Sequence, residues 1–218
     1  MEIEHLGHAC LRVSHDGASL VLDPGGFSPH LDQRIAERPL EAVLVTHAHP
    51  DHLDPDLVPL LQHAAGGREV LAELGAADVV RQAGGVAEVL EVGASLELGP
   101  FVVEVVGGQH AVIHPDVPRI GNVGLLVRAG GTTLFHPGDS YATAPEGVDV
   151  LAFPLNAPWA RVAETVDFVR AVAPRTAVPV HDALLRPEHR EVYLGHVRRL
   201  GRSEVHDPVT EGTLLTEG

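Results

Sequence analysis

The residues best equipped for chemistry lie in one short run, Thr46-His47-Ala48-His49-Pro50-Asp51-His52. Three imidazoles and a carboxylate crowd into positions 47–52. Imidazole nitrogen and carboxylate oxygen are natural ligands for zinc and its first-row neighbours. With more histidines and aspartates elsewhere, the set exceeds what a single tetrahedral ion needs, so the run predicts a two-metal site. The blander reading is a solvated polar loop. The crowding of ligand types, and the apolar run just before them, argue against it. Histidine is abundant throughout, 15 in 218 residues, which also directs attention to imidazole chemistry.

Something rigid must hold such a cluster. Ala42-Val43-Leu44-Val45 reads as a buried strand, which places the run on the loop at its carboxyl end, where α/β sheets carry their chemistry. Upstream, Met1 to Gly7, Ala9 to Val13 and Ser19 to Leu22 read as strands, with Asp16-Gly17 as a hairpin signal. Residues 27–40 read as an irregular connection carrying a short helix. Asp56 to His63 is a helix candidate in which Pro59 fits only the first turn. Glu69 to Ala72, Ala87 to Val92, Gly99 to Val106, Val123 to Arg128, Thr132 to Phe135 and Val150 to Phe153 follow as strand candidates. Val162, Val166, Val169 and Ala173 recur at helical spacing before Pro174. Thr176 to Val180 then reads as a strand, Glu188 to Leu200 as a helix and Thr213 to Leu215 as a strand. No linker divides the chain, so one domain over residues 1–218 is expected, with two packed sheets and helices outside.

Composition narrows the function. Acidic residues outnumber basic ones by 30 to 15, a formal charge of −15, which argues against a nucleic-acid groove. Every basic residue is arginine; the absence of lysine removes Walker-type phosphate loops and Schiff-base chemistry. Cys10 stands alone, so neither an internal disulfide nor a cysteine zinc cage is available. It reads as a small buried side chain. No segment approaches the ~20 apolar residues of a membrane span. The acidic, polar start Met1-Glu2-Ile3-Glu4-His5 is unlike a signal peptide, and a cytoplasmic protein is expected.

The pattern His47-x-His49-x-Asp51-His52 after a buried strand resembles the signature of the metallo-β-lactamase superfold. Four further landmarks occur in that family's order, each at a strand-like terminus: Leu22-Asp23-Pro24-Gly25, His110 after Val105-Val106, Gly138-Asp139-Ser140 and Pro179-Val180-His181. The resemblance covers nearly the whole chain. It implies an α/β fold of the four-layer αββα sandwich type. It also implies that His47, His49 and His110 hold one metal, that Asp51, His52 and His181 hold a second, and that Asp139 bridges them. Two divalent ions are implied, zinc first, with manganese or iron as alternatives. Asp23 is expected to be structural, accepting hydrogen bonds from the ligand loop, and His136 to support the site without binding metal. His114 competes with His110, which comes more directly off its strand. His5, His15, His30, His63, His189, His196 and His206 are expected to serve the surface or packing.

Within the family, the di-iron oxygen-reducing branch has glutamate where His49 stands, and the best-known lactamases have cysteine where Asp139 stands. The RNA-processing relatives are longer. The chain most resembles the branch of the L-ascorbate-6-phosphate lactonase and the N-acyl-phosphatidylethanolamine phospholipase, through Leu6-Gly7-His8-Ala9 and Asp51-His52-Leu53-Asp54. The expected function is therefore metal-dependent hydrolysis of a small lactone or phosphoester by a metal-bridged hydroxide. Asp51, Asp139 and His8 are the catalytic candidates, with His8 beside the metals without ligating them. His8, His114 and Asp182 are candidate acids for the leaving group. The rivals are an iron-dependent thiol or persulfide dioxygenase and a non-catalytic metal-binding protein. The partner is a small molecule, and it could be anionic if Arg119 or Arg161 faces the site. Trp159 is expected to pack rather than to floor a pocket.

Overall fold

A computed structural model describes residues 1–216. Its first sheet begins with β1 (Glu2–Gly7), β2 (Cys10–His15) and β3 (Ala18–Leu22), paired antiparallel. The β2–β3 hairpin turns at Asp16 and Gly17, both with positive φ (47° and 79°), the geometry that an Asp-Gly pair tolerates. From β3 the sheet runs parallel through β4 (Ala42–Val45), β5 (Val70–Ala72) and β6 (Ala87–Val89). Parallel neighbours need crossovers, and these carry α1 (Leu31–Ala36), α2 (Val58–Ala64) and α3 (Leu74–Gln82).

The second sheet mirrors this plan. β7 (Ser95–Leu98), β8 (Phe101–Gly107), β9 (Val123–Ala129) and β10 (Thr132–His136) pair antiparallel. β11 (Val150–Pro154), β12 (Thr176–Val180) and β13 (Glu204–Val205) then add in parallel, with α4 (Val162–Val172) and α5 (Arg190–Leu200) outside. A short helix, α6 (Pro208–Glu211), leads the chain back to β14 (Leu214–Leu215), which joins the first sheet beside β1.

Strand alternation sorts the core into three interfaces. Leu20, Leu22 and Leu44 face Val103, Leu125, Leu134 and Val178 between the sheets. Val21, Val43 and Val45 point outward to Leu31, Ile35, Leu61 and Val80. Leu151, Phe153 and Ala177 meet Phe168, Val169, Leu194 and Val197. Helix, sheet, sheet, helix: the expected αββα sandwich is the fold of this chain.

Several details differ from the sequence reading: β7, β13 and α6 had no counterpart in it. The helix expected over 56–63 starts as a 3₁₀ turn, Pro55–Leu57, before α2, with Pro59 in the first turn of α2. The helix expected from Glu188 likewise begins as a 3₁₀ turn, Pro187–His189. α3 had no counterpart among the expected helices. It starts where the Glu73 carboxylate caps the amides of Gly75 and Ala76. Among the described residues no helix is long and apolar enough to cross a membrane.

Candidate metal centre

Strand termini deliver the chemistry to one edge of the sandwich. His8 follows β1, Asp23 follows β3, the 46–52 run follows β4, and His110, Asp139 and His181 lie just beyond β8, β10 and β12. Asp23 ties the first of these together. Its Oδ1 accepts the Thr46 amide (2.7 Å), and its Oδ2 accepts the Thr46 hydroxyl (2.7 Å) and His52 Nδ1–H (2.7 Å). Gly25 allows the loop after β3 to press against the ligand run: a Cβ there would stand 1.8 Å from the Asp51 carbonyl oxygen. Asp139 is set by Asn122, whose side-chain oxygen accepts the Asp139 amide (2.9 Å) and whose amide group donates to Pro137 O (2.9 Å). Gly138 completes that turn with φ 59°, a left-handed conformation natural to glycine.

The ring tautomers follow from their partners. Nδ1 of His52 faces the Asp23 carboxylate, Nδ1 of His110 faces the Ala111 carbonyl (2.7 Å), and Nδ1 of His181 faces the Asn156 carbonyl (2.7 Å). Such oxygens only accept, so each Nδ1 carries the proton. Thr46 gives its own proton to Asp23 and so accepts from His47 Nδ1 (3.0 Å). All four rings thus turn Nε2 inward, the arrangement by which outer partners orient metal-binding histidines.

Two groups of ligand atoms result, the atoms of each lying within 4.8 Å of one another: His47, His49, His110 and Asp139, and His8, Asp51, His52 and His181. Asp139 reaches both. Its Oδ2 lies 3.4 Å from His110 Nε2 and 3.2 Å from His181 Nε2, and its Oδ1 lies 3.2 Å from His52 Nε2. His52 Nε2, His110 Nε2, His181 Nε2 and Asp139 Oδ1 are buried without a hydrogen-bond partner. Orphaned buried polar atoms are costly, and converging lone pairs of this kind fit divalent cations. The electrostatics agree. Burial opposes charge on His52, but Asp139 and Asp23 outweigh it and raise its pKa well above the usual value. Burial opposes charge on His181 too, yet the adjacent carboxylates of Asp139 and Asp51 lift its pKa to about 9. Burial works against the Asp139 carboxylate, but His52, His110 and His181 hold its pKa well below the usual range. Positive charge is favoured at the centre of this ring.

His8 differs from the other rings of its group in its tautomer. Its Nδ1 accepts the Ala183 amide (3.2 Å), which leaves the proton on Nε2 to be donated to Asp51 Oδ2 (3.1 Å). The ring is buried behind Asp51 and does not line the cavity above the centre. His114 is exposed, with Nδ1 accepting the Asp116 amide, and Asp182 is engaged by Arg190 (2.8 Å). Of the three candidate acids, none faces the cavity. His136 bridges Ala9 O and the Gly138 amide within the scaffold.

That cavity, about 320 Å³, is lined by Phe27, Ile113, Pro158, Trp159 and Leu184 above His49, Asp51, His110, Asp139 and His181. Trp159 corrects the expectation of simple packing: it walls the cavity, and its indole N–H donates to Asp139 Oδ2 (2.8 Å). The arginines considered for an anion are spent elsewhere. Arg161 pairs with Glu164 in solvent, and Arg119 braces its own loop through His110 O and the Gln109 side chain. Asn122 and the Trp159 hydrogen bond escaped sequence reasoning. Only an Asn beside the strand start at Val123 and the lone tryptophan hinted at them.

Comparison with known proteins agrees with this architecture. The beta-lactamase superfamily domain matches residues 2–181, and the chain belongs to that family. It is 41% identical over 202 residues to Protein Rv0786c of Mycobacterium tuberculosis, covering 92% of each chain. It is 27% identical over 193 residues to a UPF0173 metal-dependent hydrolase of Carboxydothermus hydrogenoformans, covering 83% of this chain and 84% of that one. Igni18, a metallo hydrolase from Ignicoccus hospitalis, shares the fold with a TM-score of 0.72 at 17% identity, over 99% of this chain and 98% of that one.

Proposed function

We propose that the protein is a metal-dependent hydrolase with a dinuclear centre, acting on a small lactone or phosphoester. The observation that carries this reading is the set of buried, inward-facing imidazole nitrogens around Asp139, three of them without a partner. In this reading His47, His49 and His110 hold one ion, Asp51, His52 and His181 hold the other, and Asp139 lies between them. Zinc suits the nitrogen-rich set, with manganese or iron as alternatives. Bound there, the ions would supply a Lewis acid for the substrate oxygen and a nucleophile from water at neutral pH.

The chain's own residues do the remaining work. The Trp159 N–H and the Asn122 side chain fix the Asp139 carboxylate and its backbone. His8 is a positioning residue: its Nε2–H holds one Asp51 oxygen in place, and its carbonyl accepts the His181 amide (2.8 Å).

The test joins elemental analysis of the purified protein to a panel of lactones, phosphodiesters and thioesters. Two equivalents of zinc or manganese, one for each ligand group, with turnover on the panel are expected. A single iron with oxygen consumption on thiols or persulfides would install the dioxygenase instead. Full metal loading with no turnover on any substrate would leave a metal-holding binding protein.

A further inference from the structure

We infer that the substrate is a neutral carboxylic ester or lactone bearing an apolar or aromatic group, bound in preference to phosphorylated substrates. The inference rests on the hydrolase reading above and narrows it. Three segments distant in sequence each bring a large apolar side chain to the cavity rim and leave it in water: Phe27 is 45% exposed, Ile113 42% and Leu184 56%. Pro158 and Trp159 close the remaining wall. Exposed apolar groups gathered around a cleft mark a binding surface. Here the cleft stands over Asp51, Asp139 and His181, so an apolar group seated on the rim lies next to the reacting bond.

The charges point the same way. Beyond the metal ions themselves, which can meet a carbonyl or a phosphoryl oxygen alike, a phosphoryl group is normally met by arginine, lysine or a helix N-terminus. The chain has no lysine, and among the described residues no arginine lines this cavity. Arg119, on the neighbouring loop, turns its guanidinium to His110 O and Gln109 Oε1. Beyond the histidines, the only charged side chains among the described residues that line the cavity are the carboxylates Asp51 and Asp139. In the reaction the acyl C–O bond breaks. The hydroxyl of water goes to the acyl carbon and its remaining proton to the leaving oxygen, so no further reactant is required.

The sole tryptophan of the chain is Trp159, so intrinsic fluorescence reports on this cavity whether or not turnover occurs. The metal-loaded protein is titrated with 2-phenylacetamide, a neutral probe, and with phenyl phosphate. Saturable quenching by the amide, at least tenfold tighter than by the phosphate, is expected. In parallel, kcat/KM is measured for p-nitrophenyl acetate, butyrate and hexanoate and for bis(p-nitrophenyl) phosphate. The ester series should rise by up to about fourfold per methylene, the gain for full burial of each one, and Phe27→Ser and Leu184→Ser should flatten that rise. Tighter binding of phenyl phosphate, no quenching by either probe, or faster turnover of the phosphodiester would overturn the substrate class and leave the hydrolase reading standing. Loss of all turnover with selective quenching by the amide would overturn the hydrolase reading while the preference of the cavity stood.

Discussion

Asp139 concentrates the residue-scale chemistry, because each of its oxygens faces imidazoles and one also takes the Trp159 N–H. Asp139→Asn keeps the shape and removes the charge that offsets cation repulsion. Metal affinity should fall by more than about tenfold, with the Asp51–His52–His181 group emptied first, since the other group retains His47, His49 and His110. Elemental analysis against free-metal concentration checks this, and an unchanged two-metal protein would remove Asp139 from the centre. Trp159→Phe isolates the hydrogen bond, because a ring still packs edge-on to Tyr141, now 4.7 Å away. A loss of metal affinity of about tenfold, with little change in melting temperature, is expected. His8→Ala should keep both metals and lower kcat, as Asp51 loses the donor that fixes its oxygen.

At the scale of elements, what matters is how loops at strand ends are tied to the layers behind them. The β12–α5 connection uses a buried arginine. Arg190 donates to Asp182, the residue after His181, and to Asp207 at the start of α6, each at 2.8 Å. Arg190→Met leaves two carboxylates without a cation, and removing one partner of a buried pair costs about 3–5 kcal/mol. The pH dependence has a definite sign. Burial opposes the Asp207 charge, but Arg190 outweighs it and lowers the carboxyl pKa. A depressed folded pKa stabilises above the unfolded value of about 3.9, and that contribution is lost as pH falls through the folded one. Chemical denaturation should therefore show the gap between wild type and variant at pH 7 and a smaller gap below pH 4. A gap that held constant would assign the loss to packing alone.

For the whole molecule, the three apolar interfaces lie behind the ligand loops, which contribute few side chains to them, Ala48 and Leu53 among these. Stripping the metals with a chelator should leave far-UV circular dichroism intact. It should lower the melting temperature by about 5–10 °C, as expected when a ligand that binds only the folded state at about a hundred times its dissociation constant is removed. Collapse of the secondary structure would instead show that the centre holds the sheets together.

The residues that gather at the candidate metal centre were legible in the sequence because metal chemistry is local in type and spacing. His47, His49, Asp51 and His52 sit within one loop, and His110, Asp139 and His181 each trail an apolar strand. The layered fold was legible for a similar reason: strands buried on both faces, such as Ala42–Val45, read as continuous apolar runs. α3 was not, since its buried stripe is only Ala76, Ala77 and Val80, and its start depends on the Glu73 cap. The neighbours of Asp139 were not legible either. Asn122 and Trp159 lie 17 and 20 residues away along the chain, and no periodicity connects them. Which loops meet at the edge of two packed sheets is set by sheet order and register. For that reason the candidate ligands could be named from sequence, whereas their hydrogen-bond partners, the apolar rim and the displacement of Arg119 and Arg161 from the cavity were decided only by the tertiary structure.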